Sequence, residues 1–360
     1  MDCYIGVMSG TSLDGVDVVL CPVGEDSIEL AASLEYPFDE ALKTGILGAL
    51  SGSLSLKEIG EIDHRLGELF ADAVLALIEK YELDTKRIEA IGLHGQTMWH
   101  QSDGTTPFSM QLGDPNIVAT RTGIKTVADF RRKDIALGGQ GAPFAPAFHR
   151  FLFEEMEQSV CVLNIGGMAN ITLLGEAFAG YDTVPGNVLM DMWTEKHLGR
   201  KFDKDGEWAR AGEADAALLD DMLLEPYFSK RAPKSTGREL FNSGWLDAIL
   251  QRHAGLTPQD IQATLLELTV RSVVDEVEKA APDLLLVCGG GAKNRFLMQR
   301  LEESLEGIGV AATDDYGVSS DYMEAMAFAW LAYKRVHNEK VELKAVTGAY
   351  ENGILGGIYE

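Results

Sequence analysis

Hydroxyl groups, carboxylates and glycines interrupt two strand-like apolar runs near the start of the chain. The segment at 8–17 reads MSGTSLDGVD. Gly10 and Gly15 allow a tight turn in which several backbone N–H groups point into one concavity, an arrangement that binds phosphate without a lysine. Thr11 and Ser12 add hydroxyl donors. The segment therefore predicts a phosphate-binding turn, although an ordinary hairpin turn rich in Ser, Asp and Gly is the alternative.

The two aspartates of this segment indicate a metal ion rather than direct phosphate contact. Asp14 and Asp17 would repel phosphate, but their carboxylates can hold Mg²⁺ or its waters, and the ion can bridge to phosphate oxygens. The segment is not a Walker A loop, because it lacks the Lys-Ser/Thr pair that ends GxxxxGK[ST].

Two further glycine-rich turns follow apolar runs in the second half of the chain. Their glycines, with the asparagine that follows the second turn, are Gly166, Gly167, Gly289, Gly290, Gly291 and Asn294. The second turn lies between a predicted strand and a predicted helix, where a helix N-terminus can hold an anion. A close strand–helix turn without a ligand is the alternative for this glycine triplet.

Asp182 is the candidate for the catalytic acid or base. It lies in GYDTVPGN at 180–187, just before a predicted helix. A carboxylate on a constrained turn can be aimed at a water or a hydroxyl group within hydrogen-bond reach. Capping of local N–H groups is the alternative role.

Polar groups also collect in HGQT at 94–97 and in ADFRRKDIALGGQGAP at 128–143. Arg131, in the second of these, can form paired hydrogen bonds to a carboxylate or phosphate, although a solvated surface loop is the alternative. His94 follows a predicted buried strand, where a structural histidine is common. Glu324 begins a predicted helix at 323–336, a place where the helix dipole alone favours an acid.

Composition excludes some classes of partner. The chain has 360 residues, is 46% hydrophobic and has a formal net charge of -25, so we expect about two domains with sizeable cores and no binding to nucleic acid or anionic membranes. Four widely spaced cysteines in apolar runs indicate packed thiols. Neither a signal peptide nor a membrane-length apolar run is present, which predicts a cytoplasmic protein.

The elements that must position these residues indicate an α/β protein with two similar halves. Each half runs from strands joined by glycine turns into an alternation of strands and helices. Strands are predicted at 4–7, 16–23, 28–36, 88–93, 126–130, 160–165, 171–174 and 284–288. Helices are predicted at 55–81, 115–122, 187–198, from 257, at 294–305 and at 323–336, with a capping box at Ser55 and Glu58 and an N-cap at Thr257.

Taken together, the motifs resemble the anhydro-N-acetylmuramic acid kinases. They occur in the expected order along most of the chain, and their combination is far more specific than any one of them. The segments are GVMSGTSLDGVD at 6–17, HGQT at 94–97, DFRRKDIALGGQGAP at 129–143, NIGGMANI at 164–171, DTVPGN at 182–187, GGGAKN at 289–294 and SSDYMEAMAFAW at 319–330. One departure is Val184, where family members often have glycine.

The resemblance implies the actin, heat-shock chaperone and sugar-kinase superfamily, an α/β fold of two ribonuclease-H-like domains with a nucleotide cleft between them. We expect the N-terminal domain at 1–127, completed by about 340–360, and the C-terminal domain at 128–339. The resemblance is also compatible with a homodimer.

The implied reaction uses ATP and Mg²⁺ to open 1,6-anhydro-N-acetylmuramic acid with water and to phosphorylate O6, giving N-acetylmuramic acid 6-phosphate in cell-wall recycling. By the same resemblance, 10–17 cradles the β- and γ-phosphates, Gly166 and Gly167 contact phosphate, and 289–294 lines the nucleoside pocket. Asp182 is then the base, and Thr97, Arg131 and Glu324 bind the sugar.

Two alternatives stay open at this point. One is another sugar or carboxylate kinase of the same superfamily. The other is a non-catalytic module that binds ATP and signals by closing its domains.

Overall fold

The chain forms two compact units in a computed structural model. The structure describes residues 1–360 except 11, 12, 14, 53, 176, 177, 232, 233 and 235. The first unit contains Met1–Leu152 and Tyr322–Glu360, and the second unit contains Phe153–Asp321. Residues 128–152 and 322–339, which the sequence analysis assigned to the C-terminal domain, lie in the first unit.

Both units are built from strands and helices in alternation. The strands are β1 (Asp2–Ser9), β2 (Gly15–Val23), β3 (Ala32–Pro37), β4 (Ile88–Leu93), β5 (Gln96–Gln101), β6 (Phe108–Leu112), β7 (Thr126–Ala128), β8 (Val160–Ile165), β9 (Met168–Leu173), β10 (Ala179–Pro185), β11 (Leu284–Cys288), β12 (Gly309–Ala312) and β13 (Gly357–Tyr359). The α-helices are α1 (Glu40–Ser51), α2 (Leu56–Lys80), α3 (Pro115–Thr122), α4 (Phe130–Ala136), α5 (Ala145–Phe153), α6 (Val188–Leu198), α7 (Glu207–Arg210), α8 (Ala216–Leu223), α9 (Ser243–Leu250), α10 (Pro258–Ala280), α11 (Arg295–Ser304), α12 (Met323–Val336) and α13 (Lys344–Thr347).

The sheet of the first unit has the strand order β13-β7-β4-β1-β2-β3. β1, β2 and β3 form an antiparallel meander, whereas β4 and β7 continue the sheet on the other side of β1 in parallel. β5 and β6 form a separate antiparallel hairpin. The C-terminal strand β13 completes the sheet by pairing with β7 in antiparallel.

The sheet of the second unit repeats the same arrangement, with the order β10-β9-β8-β11-β12. β8, β9 and β10 form the antiparallel meander, and β11 and β12 follow in parallel beside β8. An antiparallel meander followed by parallel strands, occurring once in each unit, is the ribonuclease-H-like topology that the sequence predicted. In each sheet, the turn between the first two strands therefore lies beside the carboxyl end of the fourth strand.

Helix α12 lies directly against the first sheet. It packs on β1, β2 and β4. Side chains are absent from the contact at Gly6 and Gly92, where a methyl group would overlap the carbonyl oxygens of Ala325 and Phe328 respectively. This close approach determines where the first turn of the helix, which contains Glu324, stands above the strands.

Several elements match the sequence analysis closely, because their signals are local. The capping box of α2 is present at Ser55 and Glu58, and α10 begins with Thr257 as N-cap and Pro258 in its first turn. β4, β8, β11, α3 and α12 have the predicted bounds.

Some of the element predictions are wrong. The strand expected at 126–130 ends at Ala128, because Asp129 has a left-handed φ of 64° and the chain then enters α4. The strand expected at 28–36 begins at Ala32, and Ile28 forms only an isolated bridge to Val23. The polar stretch at 128–143, for which a surface loop was the alternative, contains helix α4.

Among the described residues, no helix combines the length and the apolar character needed to cross a membrane.

Candidate functional site

The predicted phosphate-binding turn joins β1 to β2 and is anchored on both sides. The Leu13 side chain is fully buried, and its N–H donates to the Gly10 carbonyl at 3.3 Å. Gln96, also buried, accepts a hydrogen bond from Ser9 Oγ at 2.6 Å and donates to the Gly10 carbonyl at 3.4 Å. The turn is thus tied to the HGQT segment. Thr11, Ser12 and Asp14 lie outside the described residues, so their predicted roles stay predictions.

Asp17 is the described carboxylate of the predicted magnesium site. It lies on β2 on the same face as Gly15, and Glu35 stands opposite it on β3. The described part of the chain contains no group of three His, Cys, Asp or Glu side chains arranged to hold a metal. Mg²⁺ that also binds substrate phosphates needs only one or two carboxylates, so Asp17 fits such an ion.

Arg131 is held at the start of α4 by neutral acceptors. Its Nε and Nη2 groups donate to Nε2 of His94 at 3.3 Å and 2.9 Å, and Nη1 donates to the Gly141 carbonyl at 2.9 Å. The Phe144 ring lies 5.3 Å from the guanidinium carbon. A guanidinium has five N–H groups, so these bonds to described residues account for three of them and leave two for an anionic ligand.

His94 is neutral and its tautomer is determined by Arg131. Burial and the adjacent Arg131 charge lower the pKa of His94 well below 6.5. Because Nε2 accepts from the guanidinium, the ring proton is on Nδ1. Burial lowers the pKa of Arg131 to about 10, although the charges of Glu324 and Asp134 oppose the change. The arginine therefore stays charged at neutral pH, and the neutral His94 ring accepts its hydrogen bonds.

Thr97 and Glu324, the other predicted sugar contacts, lie in the same unit as Arg131. Thr97 Oγ1 accepts a hydrogen bond from Gln111 Nε2 at 3.1 Å across the β5–β6 hairpin. Glu324 is exposed in the first turn of α12, and its charge acts on Arg131. The first unit thus contains all three predicted sugar contacts, and the charges of Arg131 and Glu324 act on each other.

The loop behind Arg131 is braced by Asp134. Its two carboxylate oxygens accept from the Gly141 N–H at 2.7 Å and from the Thr347 hydroxyl at 2.9 Å. Gly139 has no room for a side chain, because a methyl group there would overlap this carboxylate. The glycines of the LGGQGAP stretch therefore hold Gly141 where its carbonyl can orient Arg131.

Asp182 lies on strand β10, not on the loop that the sequence predicted. The strand is irregular between Asp182 and Val184, so the ladder with β9 shifts at this point. Val184, the one departure from the motif, is buried in the core of the second unit. A shift in register re-aims the local side chains without a flexible glycine.

Among the described residues, hydrogen bonds to Lys234, Tyr227 and Thr236 hold Asp182. Its N–H donates to the Lys234 carbonyl at 3.1 Å, and its own carbonyl accepts from the Tyr227 hydroxyl at 2.8 Å. The carboxylate oxygen Oδ2 accepts from the Thr236 N–H at 3.1 Å. The carboxylate is consequently oriented by a backbone donor 54 positions later in the chain.

Gly166 and Gly167 form the β8–β9 turn, which packs against the N-terminus of α6. The N–H groups of Asn187 and Val188 donate to the carbonyls of Gly166 and Gly167 at 2.9 Å and 3.1 Å. Gly186 must be small, since a methyl group there would lie 2.5 Å from the Gly166 carbonyl oxygen. The predicted phosphate turn and the PGN sequence are therefore parts of one structure.

The glycine triplet connects β11 to α11 through a short 3₁₀ turn. Gly289 has a φ of 78°, and a methyl group there would overlap the Asn164 side chain. Asn294 caps α11, because its Oδ1 accepts from the Leu297 N–H at 3.1 Å. The strand–turn–helix prediction is confirmed, and the triplet lies beside β8.

Five residues around these sites were not predicted from the sequence. Gln96 lies within the HGQT motif, which was the one signal that could have identified it. The other four have no local pattern and are recognised only through contacts with β10: Tyr227, Lys234, Thr236 and Glu276.

The chain is similar to one family along almost its whole length. The profile described as "Anhydro-N-acetylmuramic acid kinase" matches residues 2–360. Proteins named anhydro-N-acetylmuramic acid kinase from Sulfurovum sp. (strain NBC37-1) and Sulfurimonas denitrificans are 59% and 56% identical; the alignments cover 99% of this chain and 98% and 99% of theirs. The protein of that name from Pasteurella multocida is 51% identical, with 99% and 96% covered.

Similarity to solved structures is much weaker. The activator of the 2-hydroxyisocaproyl-CoA dehydratase from Clostridium difficile, solved with bound ADPNP, has 11% identity and a TM-score of 0.48, with 93% of this chain and 96% of that chain covered. The full-length match to the profile and to relatives above 50% identity is decisive. The chain belongs to the anhydro-N-acetylmuramic acid kinase family.

Proposed function

We propose that the protein is an ATP-dependent kinase that opens 1,6-anhydro-N-acetylmuramic acid with water and phosphorylates its O6. The products are N-acetylmuramic acid 6-phosphate and ADP, as in peptidoglycan recycling. The observation that carries the proposal is the match of the family model over residues 2–360. The hydrogen bonds that orient Asp182 and Arg131 support their proposed roles as base and as sugar-binding residue.

Asp182 is the base in this proposal. Its carboxylate accepts a proton from water as the water oxygen bonds to C1 of the sugar. The C1–O6 bond breaks with its electron pair going to O6, and O6 bonds to the γ-phosphorus while the bond to ADP breaks. A base that Thr236 N–H holds in one orientation suits proton abstraction, which depends on geometry before pKa.

Arg131 binds an anionic or polar part of the sugar, with the lactyl carboxylate as the best candidate. Its two remaining N–H donors can form a paired contact with a carboxylate. Thr97 and Glu324 then bind hydroxyl or amide groups, and the exposure of Glu324 leaves it accessible to a ligand.

The phosphates of ATP belong with the β1–β2 turn and with Gly166 and Gly167, and the nucleoside belongs with 289–294. Mg²⁺ held by Asp17, with Asp14, would offset the phosphate charge when bound. Phosphoryl transfer requires mainly positioning and charge stabilisation, and backbone N–H groups on rigid turns can provide much of both. The proposal places the reaction in the cytoplasm, where ATP is available, and a homodimer stays a prediction.

The decisive experiment is a reaction in ¹⁸O-water with ATP, Mg²⁺ and the anhydro sugar, analysed by mass spectrometry. We expect a product that carries one phosphate and one ¹⁸O at C1. Rapid NMR should show inversion at C1 before the anomers equilibrate, since water attacks opposite the departing O6. The open sugar, N-acetylmuramic acid, is the matched control, because its phosphorylation would require no water.

Other outcomes identify the alternatives. An unchanged anhydro sugar with ATP bound would reject this substrate and favour another sugar kinase. Nucleotide-dependent compaction without any product would favour the non-catalytic module. No ATP binding at all would contradict the kinase assignment of 8–17.

A further inference from the structure

Helix α10 holds strand β10 on both sides of Asp182. Glu276 accepts a hydrogen bond from the Tyr181 hydroxyl at 3.0 Å through Oε2, and Thr269 donates to the Pro185 carbonyl at 3.0 Å. Tyr181 precedes Asp182 directly and Pro185 ends the strand. The segment that carries the proposed base is therefore fixed against the helix at two points.

A buried ion pair links the same helix to the residues that contact Asp182. Lys234 Nζ lies 3.0 Å from Glu276 Oε1, and the two side chains are only 3% and 9% exposed. Lys279 adds a second, exposed cation at 3.2 Å from the same oxygen. The Lys234 carbonyl accepts from the Asp182 N–H, and the Thr236 N–H two positions later donates to the Asp182 carboxylate. Glu276 is thus linked to Asp182 through both carboxylate oxygens: Oε2 through Tyr181 and Oε1 through Lys234.

The Tyr227 ring completes the cluster. It lies 5.3 Å from Lys234 Nζ, and its hydroxyl donates to the Asp182 carbonyl. Burial raises the Tyr227 pKa above its usual range, with the charges of Asp182 and Glu276 adding to the effect, so the hydroxyl keeps its proton. Lys234, Tyr227 and Tyr181 all converge on the backbone around the carboxylate.

We propose that the buried Lys234–Glu276 pair positions Asp182 for proton abstraction. This inference rests on the proposed function. Neither residue contacts substrate in it: both are positioning residues that act through the Thr236 N–H and through the backbone of β10.

The cost of burying charge supports a role beyond packing. Removing two charges from water costs free energy that their attraction often does not recover, and well-packed apolar side chains would fill the same space at least as favourably. An apolar pair forms no directional hydrogen bonds, so it cannot orient the neighbouring backbone. The Glu276 carboxylate accepts directional hydrogen bonds from Lys234 and Tyr181, and these bonds fix Lys234 relative to β10.

The test is Glu276→Gln, which keeps the shape and one acceptor but removes the charge. We expect kcat for the anhydro sugar to fall about 10- to 100-fold, the effect of displacing a reacting group by an ångström or less. KM for the sugar and for ATP should stay within about threefold, because neither ligand loses a contact. Turnover is normalised to ADP-binding sites by calorimetry, so that unfolded protein does not count.

Glu267→Gln is the matched control. Glu267 lies on the same helix and pairs with Arg300 at 3.2 Å, and none of its contacts with described residues leads to Asp182. This variant should keep the wild-type kcat. Glu276→Asp should recover part of the lost kcat, since it restores the charge at a shorter reach.

A kcat per ADP-binding site that stays within about twofold of wild type in Glu276→Gln would overturn the inference, even if the melting temperature fell. An increase in sugar KM at unchanged kcat would also overturn it. If Glu276→Gln fails to fold, Lys234→Gln is measured instead, because it removes the pair while Lys279 still lies beside Glu276, and the same two criteria apply. Absence of product with the wild-type protein would instead reject the proposed function.

Discussion

Arg131 and Arg132 show how two adjacent arginines differ in chemistry. Arg131 is half-buried among neutral acceptors, and desolvation lowers its pKa to about 10. Arg132 is 66% exposed and pairs with Asp129 at 2.6 Å. The first retains donors for a ligand inside the protein, whereas the second forms a surface ion pair of small energetic value.

Arg131→Lys should lower kcat/KM for the anhydro sugar about 10- to 100-fold, because an ammonium group cannot form the paired hydrogen bonds of a guanidinium. Steady-state kinetics with varied sugar measures the effect. Arg132→Lys is the control and should behave as wild type. Equal kinetics for the two variants would remove Arg131 from the sugar-binding site.

Asp182→Asn should reduce kcat by a factor of about 100 to 10,000, the usual range for loss of a general base, with ADP affinity unchanged. The amide can still accept from Thr236, so the strand is expected to keep its structure. Turnover is measured by coupled ADP release, and calorimetry measures ADP binding. Asp220→Asn, on an exposed position of α8, is the control. Wild-type turnover in Asp182→Asn would exclude it as the base.

Among the elements, α12 contributes to the site through the closeness of its packing. Its carbonyls meet β1 and β4 where only glycine leaves room, at Gly6 and Gly92. Glu324 stands at the start of this helix, so a shift of the helix also shifts a proposed sugar contact.

Gly6→Ala should lower the free energy of unfolding by about 1–3 kcal/mol, since the added methyl group overlaps the Ala325 carbonyl and overpacking has this typical cost. Urea denaturation measures the change, and KM for the sugar should rise with the displacement of Glu324. Gly60→Ala, on α2 with no neighbour within 4 Å of the added atom, should instead stabilise by about 0.5–1 kcal/mol. Equal stability of the two variants would contradict the close helix–sheet contact.

For the whole molecule, buried histidines should govern acid stability. Burial lowers the pKa of His149 to about 3, and burial with the Arg131 charge lowers that of His94 well below 6.5. Below pH 6.5 the unfolded chain therefore binds protons that the folded chain does not. Stability is fully present above pH 6.5 and is lost as pH falls, by about 1.4 kcal/mol per pH unit for each such histidine.

His149→Gln should reduce the loss of unfolding free energy between pH 7 and pH 5 by about 2 kcal/mol, because the variant has no proton to gain at this position. Urea denaturation at the two pH values measures the difference. His64→Gln removes an exposed histidine of α2 and should leave the wild-type difference unchanged. An identical pH dependence in His149→Gln and wild type would show that His149 is accessible to protons in the folded state.

The sequence by itself determined the local elements and the family. The capping box at Ser55, the proline after Thr257 and the apolar run of β4 each involve residues within a few positions of one another, so the chain encodes them directly. The motif order was equally visible, and it identified the residue types that the reaction needs.

Tertiary structure decided how those residues are held. The placement of Asp182 on a strand, its hydrogen bond to Thr236 and the pairing of Arg131 with His94 join segments 37 to 54 positions apart. Such contacts depend on sheet register and helix packing, which no short-range pattern specifies. The Lys234–Glu276 pair carried no signal in the sequence for the same reason: its partners meet only after α10 has packed against β10.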